Sequence, residues 1–131
     1  MSSQPFAIYW LEYHGSINHV GLFIENGLHG AGTQYHVIGT IAQGMTFQVK
    51  PMKRSDDDIS YVQGSKELLG LIIADNLERF EQICRDTPPP ERQFDARMKR
   101  INPSLPLRRC GEWAQEVTAR ARAELIICHS P

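Results

Sequence analysis

The sequence predicts an α+β domain in which an antiparallel sheet packs against helices. Three observations predict it. Four short runs of aromatic and β-branched residues, separated by turn signals, fill the chain up to Pro51. Helical periodicity appears only later, first near residues 77–85 and again from Cys110 onward. Between those helices lies a segment broken by Pro88-Pro89-Pro90, Pro103 and Pro106, which neither a helix interior nor a central strand tolerates.

Taken in order, Phe6–Tyr13 is aromatic and branched enough for a strand, and Gly15 ends it. His19–Glu25 reads as a second strand and Tyr35–Ile41 as a third. Asn26-Gly27 and the Gly30-Ala31-Gly32 loop between them make an antiparallel hairpin. Thr46–Lys50 alternates and makes a fourth strand. Lys53–Ser60 is a charged loop by composition, and Asp56-Asp57-Asp58 within it a solvated turn. Leu68–Ile73 is a short buried strand. Asp75 or Asn76 caps a helix over Leu77–Arg85, whose inner face is Leu77, Phe80, Ile83 and Cys84. Glu91–Leu107 is an irregular excursion in which Phe94, Met98 and Ile101 offer one loose helical turn. Cys110, Trp113, Ala114, Val117 and Ala121 then follow the i, i+3, i+4, i+7 spacing of a buried helix face, to about Leu125.

One hundred and thirty-one residues hold one core and not two, so residues 1–131 form a single domain. Its parts are histidine strands over about 6–51, a middle strand and helix over about 66–86, and a cysteine helix over about 109–126. A formal net charge of −1 argues against a nucleic-acid partner, and the Lys99-Arg100 and Arg108-Arg109 pairs are too few to reverse that. The first residues lack the basic start of a secretory signal, and no apolar run reaches membrane-spanning length. Cys84, Cys110 and Cys128 are odd in number and widely spaced, which suits neither a disulfide framework nor a zinc knuckle. The expected setting is therefore reducing and cytoplasmic. His14, His19, His29 and His36 match no zinc spacing, so no metal and no cofactor is expected.

Cys110 opens its helix, where unpaired backbone N–H groups and two neighbouring guanidinium groups favour negative charge on sulfur. It is either a small hydrophobe closing a helix start or a nucleophile in want of a base. A thiol nucleophile needs an imidazole brought near in space, plus a polar group to orient the ring. His19, opening the second strand, and His36, inside the third, are the candidates, with His19 as base and His36 as orienting group. Each alone reads as an ordinary half-buried strand histidine. Trp10 and Tyr13 precede the histidine strand and read as core or groove wall.

The runs His19-Val-Gly-Leu-Phe-Ile, Tyr35-His36-Val-Ile-Gly and Arg109-Cys110-x-x-Trp113 resemble the circularly permuted branch of the NlpC/P60 papain-like superfamily. That branch includes the lecithin:retinol acyltransferase-like and PPPDE-type proteins, and small fungal proteins share its layout. Leu69-Gly70-Leu71-Ile72 and Pro88–Pro90 also have counterparts there, so the resemblance spans about Ile8 to Ile126. It implies a papain-like core in permuted order, with Cys110 as nucleophile, His19 as base and His36 as third polar member, and with Trp10, Tyr13 and Gly111 as substrate or oxyanion contacts. The implied activity is attack on an amide, ester or thioester carbonyl of a small molecule or peptide, and the fungal likeness implies a place in secondary metabolism. Gly111 departs from the pattern where a polar side chain, often Gln, is expected. The Leu28–Gln34 loop also lengthens the spacing between the histidines, and no lipid-acyltransferase membrane anchor has a counterpart. The reading from a different class is a non-catalytic ligand- or protein-binding module that keeps this fold. Oligomeric state is left open.

Overall fold

A computed structural model describes residues 4–129 of the chain. Five strands form one sheet: β1 (Pro5–Tyr13), β2 (His19–Ile24), β3 (Gly32–Thr40), β4 (Gly44–Met52) and β5 (Glu67–Ile73). They lie in the order β4-β3-β2-β1-β5, every neighbour antiparallel. Two helices follow, α1 (Leu77–Asp86) and α2 (Cys110–Ala123). The fold is α+β, an antiparallel sheet packed against helices.

Strand alternation sends Ile8, Val20, Leu22, Ile24, Tyr35 and Val37 to one face, where they meet Phe80, Ile83, Trp113 and Val117 of the helices. Leu11, Tyr13 and Phe23 point the other way and pack with Tyr9, Met52 and Tyr61. The central strands are thus buried on both faces, which is why β1 and β2 read as nearly unbroken apolar runs. The second face is covered by the segment after β4. Composition marks Lys53–Ser60 as a solvated loop, and its acidic tip is one. Its far end, however, binds the sheet: Tyr61 bridges to Tyr13, and the Val62 N–H donates to the Glu12 carbonyl at 2.9 Å. Asp56-Asp57-Asp58 hides that anchoring role, because the apolar residues that do the docking stand on either side of it.

Helix α1 buries Phe80, Ile83 and Cys84, and Thr87 stops it by donating its hydroxyl to the Ile83 carbonyl at 2.7 Å. Neither Asp75 nor Asn76 caps it by a side chain. The chain enters through a single 3₁₀ turn, Ala74–Asn76, and the Leu77 N–H is already taken by the Ala74 carbonyl. Helix α2 keeps the expected inner face, with Trp113, Ala114, Val117 and Ala121 wholly buried, and ends at Ala123. Trp113 adds an N–H to the Thr87 carbonyl at 3.1 Å, which ties the two helices together.

No helical turn forms around Phe94, Met98 and Ile101. Phe94 instead bridges to Arg100, and Met98 takes a left-handed backbone at φ 61°. The Gln93 side chain closes the base of this loop, accepting the Arg108 N–H at 2.7 Å and donating to the Arg108 carbonyl at 2.8 Å. That clasp fixes the backbone two residues before Cys110. Beyond α2, the Cys128 backbone pairs with Leu71 and lengthens the ladder at the β5 edge.

Two glycines beside the histidines and the cysteine make opposite predictions. A Cβ on Gly21 would sit 2.2 Å from Nε2 of the buried Gln34 side chain, whereas one on Gly111 would meet only Val20 Cγ2, at 3.8 Å. Gly21→Ala is therefore expected to lower the free energy of unfolding by about 1–3 kcal/mol through overpacking. Gly111→Ala should raise it by up to about 1 kcal/mol by restricting the unfolded chain. Urea denaturation of the two variants checks both signs.

Candidate active site

Helix α2 lies across β2, and this brings the first turn of the helix to the start of that strand. The Val20 N–H donates to Cys110 Sγ at 3.4 Å, and the sulfur lies 4.0 Å from the Asn18 carbonyl oxygen. The thiol thus rests on the backbone on both sides of His19. Cys110 is 7% exposed. The first-turn amides of α2 have no intrahelical acceptor, as at any helix start, and Glu112 satisfies the Arg109 N–H through Oε1 at 2.6 Å.

The two histidines meet across a break in the sheet. The β2–β3 ladder pairs only Leu22, Phe23 and Ile24 with Tyr35, Gln34 and Thr33. Continued in register, Gly21 would oppose His36, but the strands part there, and the rings span the gap. His19 Nε2 and His36 Nδ1 are 2.8 Å apart. His36 lies directly opposite Gln48 in the β3–β4 ladder, and its Nε2 is 2.7 Å from Gln48 Oε1. A line of hydrogen bonds therefore runs from His19 through His36 to Gln48. Gln48 is the member that sequence reasoning missed. A glutamine in an exposed strand position carries no signal of its own; only the register of β3 on β4 sets it under His36.

Alternation places the histidine side chains on the face away from the helices, since Val20 and Val37 beside them face α2. Tyr13 backs the His19 ring, with centroids 6.0 Å apart. With Nε2 engaged by His36, the nitrogen of His19 left for proton exchange with a neighbour is Nδ1. The sulfur makes its hydrogen bonds to the strand backbone and none to the His19 ring.

Burial drives the electrostatics. It holds the His19 imidazole down at about 4, aided by the neighbouring His36 ring and Lys50, while the Asp58 carboxylate opposes the shift. His36 is lowered as well, again first by burial, with its hydrogen bond to Gln48 pulling the other way. Both rings are neutral at pH 7. Tyr13 is pushed up to about 12 by burial and by nearby Asp58, so it stays a neutral phenol, with its hydroxyl 3.5 Å from the Ser55 carbonyl.

Of the other candidates, Trp10 packs on the helix-side core and donates its indole N–H to Glu12 Oε2 at 3.1 Å. Glu12 Oε1 in turn accepts from Asn18 Nδ2 at 3.2 Å. That indole donor is committed, and Tyr13 stands behind the imidazole on the opposite face. Gly111 lies in the first turn of α2. The structure therefore brings Cys110, His19 and His36 to one end of the sheet and leaves Trp10 engaged elsewhere. A groove of about 660 Å³ runs between the proline-rich loop and α2, lined by Pro88, Ile101, Leu105, Arg108, Glu112 and Glu116 among others. Two residues is more than half a helical turn, so Glu112 faces away from Cys110 and this groove is not the thiol's own cleft. Among the described residues no set of three or more His, Cys, Asp or Glu could hold a metal, and no helix is long and apolar enough to cross a membrane.

Fold and site together define a class: a single-sheet α+β protein with a helix-start thiol held against a strand that carries one of two bonded histidines. The chain itself belongs to DUF6540, a family of unknown function, whose model matches residues 8–127. No curated protein and no solved structure matches it.

The depressed imidazoles have a sign that stability measurements read. Above pH 6.5 His19 is neutral folded and unfolded, so its contribution is constant. Between 6.5 and about 4 only the unfolded chain takes up the proton, so stability falls as pH falls. Allowing for solvent screening at a partly exposed ring, the loss from pH 7 to pH 5 is expected to be about 1 kcal/mol. His19→Asn should flatten that slope in urea melts taken at each pH.

Proposed function

We propose that this protein is a thiol-dependent enzyme acting on an amide, ester or thioester carbonyl, with Cys110 as nucleophile, His19 as base and His36 as the group that orients it. The supporting observation is the seating of the Cys110 sulfur on the backbone at both sides of His19, whose ring is itself held by His36. The likeness of the His19, Tyr35-His36 and Arg109-Cys110 runs to the permuted NlpC/P60 branch points the same way. The substrate is a small molecule or a peptide, and the setting a reducing, cytoplasmic one, since Cys84, Cys110 and Cys128 are all unpaired.

Because His19 is neutral at pH 7, the favoured route is general-base catalysis and not attack by a standing thiolate–imidazolium pair. His19 Nδ1 takes the Sγ proton as sulfur attacks the carbonyl carbon. First-turn amides of α2 hold the resulting oxyanion. The imidazolium then protonates the leaving group, and the acyl group stays on sulfur as a thioester. Water, an amine or a hydroxyl collects it, giving a hydrolase or a transferase.

One observation favours the second reading, a binding module: the thiol is buried and its hydrogen bonds go to backbone, not to the imidazole. Incubation with an activated acyl ester, followed by intact and peptide mass spectrometry, separates the two. The enzyme reading expects one acyl group on Cys110, absent in Cys110→Ala, and formed about 100-fold or more slowly in His19→Ala. Buried Cys84, whose thiol burial pushes up, and exposed Cys128 are internal controls. Acylation of Cys128 alone would sink the enzyme reading in favour of the binding module.

A further inference from the structure

We propose that Gln48 is a positioning residue that fixes the direction of the protons in the His19–His36 pair, so that the Nδ1 lone pair of His19 is left free. The inference deepens the enzyme reading above, but its geometric part stands without it. Gln48 Oε1 is an acceptor only, so the 2.7 Å contact requires a proton on His36 Nε2. A neutral imidazole carries one N–H, which leaves His36 Nδ1 as an acceptor. The 2.8 Å contact then requires His19 to donate from Nε2. His19 has no second proton, and its Nδ1 is a base. One carbonyl oxygen thus decides the protonation pattern two residues away.

The opposite amide orientation would reverse every step. Gln48 Nε2 would donate to His36, His36 Nδ1–H to His19, and His19 Nδ1 would carry a proton where the enzyme needs a lone pair. Two considerations select the first arrangement. It puts both rings in the Nε2–H tautomer, which neutral histidine prefers intrinsically; the reverse demands the less stable tautomer twice. It also turns the two-donor NH2 end of Gln48 to solvent, where both hydrogens find water, while the single acceptor faces the single ring donor. Gln48 lies at an exposed position of β4, whereas His36 is buried, so the direction is set from the surface inward.

The test is heteronuclear NMR of the imidazole nitrogens at pH 7 in uniformly 15N-labelled protein, with Gln48→Glu and Gln48→Met. Both substitutions are at an exposed site and leave the core intact. Wild type is expected to show protonated-type Nε2 and unprotonated-type Nδ1 in both rings. Gln48→Glu, an acceptor at either oxygen, should keep that pattern and raise the pH at which His36 titrates. Gln48→Met opens His36 Nε2 to water, which donates or accepts, and should give averaged shifts in both rings. Acyl-adduct formation should fall at least about tenfold in Gln48→Met and recover in Gln48→Glu, as expected when an orienting partner of a catalytic histidine is lost. A proton on His36 Nδ1 in wild type, or identical tautomers in wild type and Gln48→Met, would overturn the proposal. Wild-type tautomers as expected with no acyl adduct on Cys110 would refute the enzyme reading and leave the hydrogen-bond direction standing.

Discussion

Burial of the inner face of α2 on the sheet is the interaction that everything at the candidate site depends on. Trp113, Ala114, Val117 and Ala121 are withdrawn from water completely. Burying a large apolar side chain such as Trp113 or Val117 is worth about 1.5–3 kcal/mol. Together they fix the height and angle of the helix over β2. Cys110 is the first residue of that face, so the packing that stabilises the fold also sets where the sulfur lies. The Gln93 clasp on Arg108 completes the constraint from the other side, fixing the backbone two residues before the thiol.

Both faces of the sheet are occupied, and this shapes the chemistry. The sulfur belongs to the helix side and the imidazoles to the side covered by Tyr13, Met52 and Tyr61. His19 is the terminal residue of β2, so sulfur and imidazole stand at the same end of the sheet on opposite faces, and the sulfur bonds the backbone on either side of His19 and not its ring. The same covering strips water from the rings and keeps them neutral. A neutral imidazole can donate at one nitrogen and accept at the other, and the parting of β2 from β3 gives the two rings room to bond.

Much of the fold was legible. Every strand and both helices fall within a few residues of where alternation, helical spacing and turn chemistry put them. The misses have physical causes. The helical turn expected around Met98 fails because Asp95 folds the segment into a tight turn, its carboxylate accepting the Arg97 and Lys99 N–H groups. The capping role given to Asp75 or Asn76 fails because a 3₁₀ turn supplies the first acceptor. The anchoring of Tyr61 and Val62 is non-local and leaves no periodicity to read.

At the site, Cys110, His19 and His36 could be singled out as residue types suited to one chemistry, and the helix-start position of the cysteine came directly from the i, i+3, i+4 pattern. That much the sequence determined by itself, because helical phase and strand alternation are local properties of the chain. Which nitrogen of His19 is free and that Gln48 stands under His36 were decided only by tertiary structure. Each depends on the register between strands or on a contact between distant residues, and the chain's local periodicity contains no information about the distance across either.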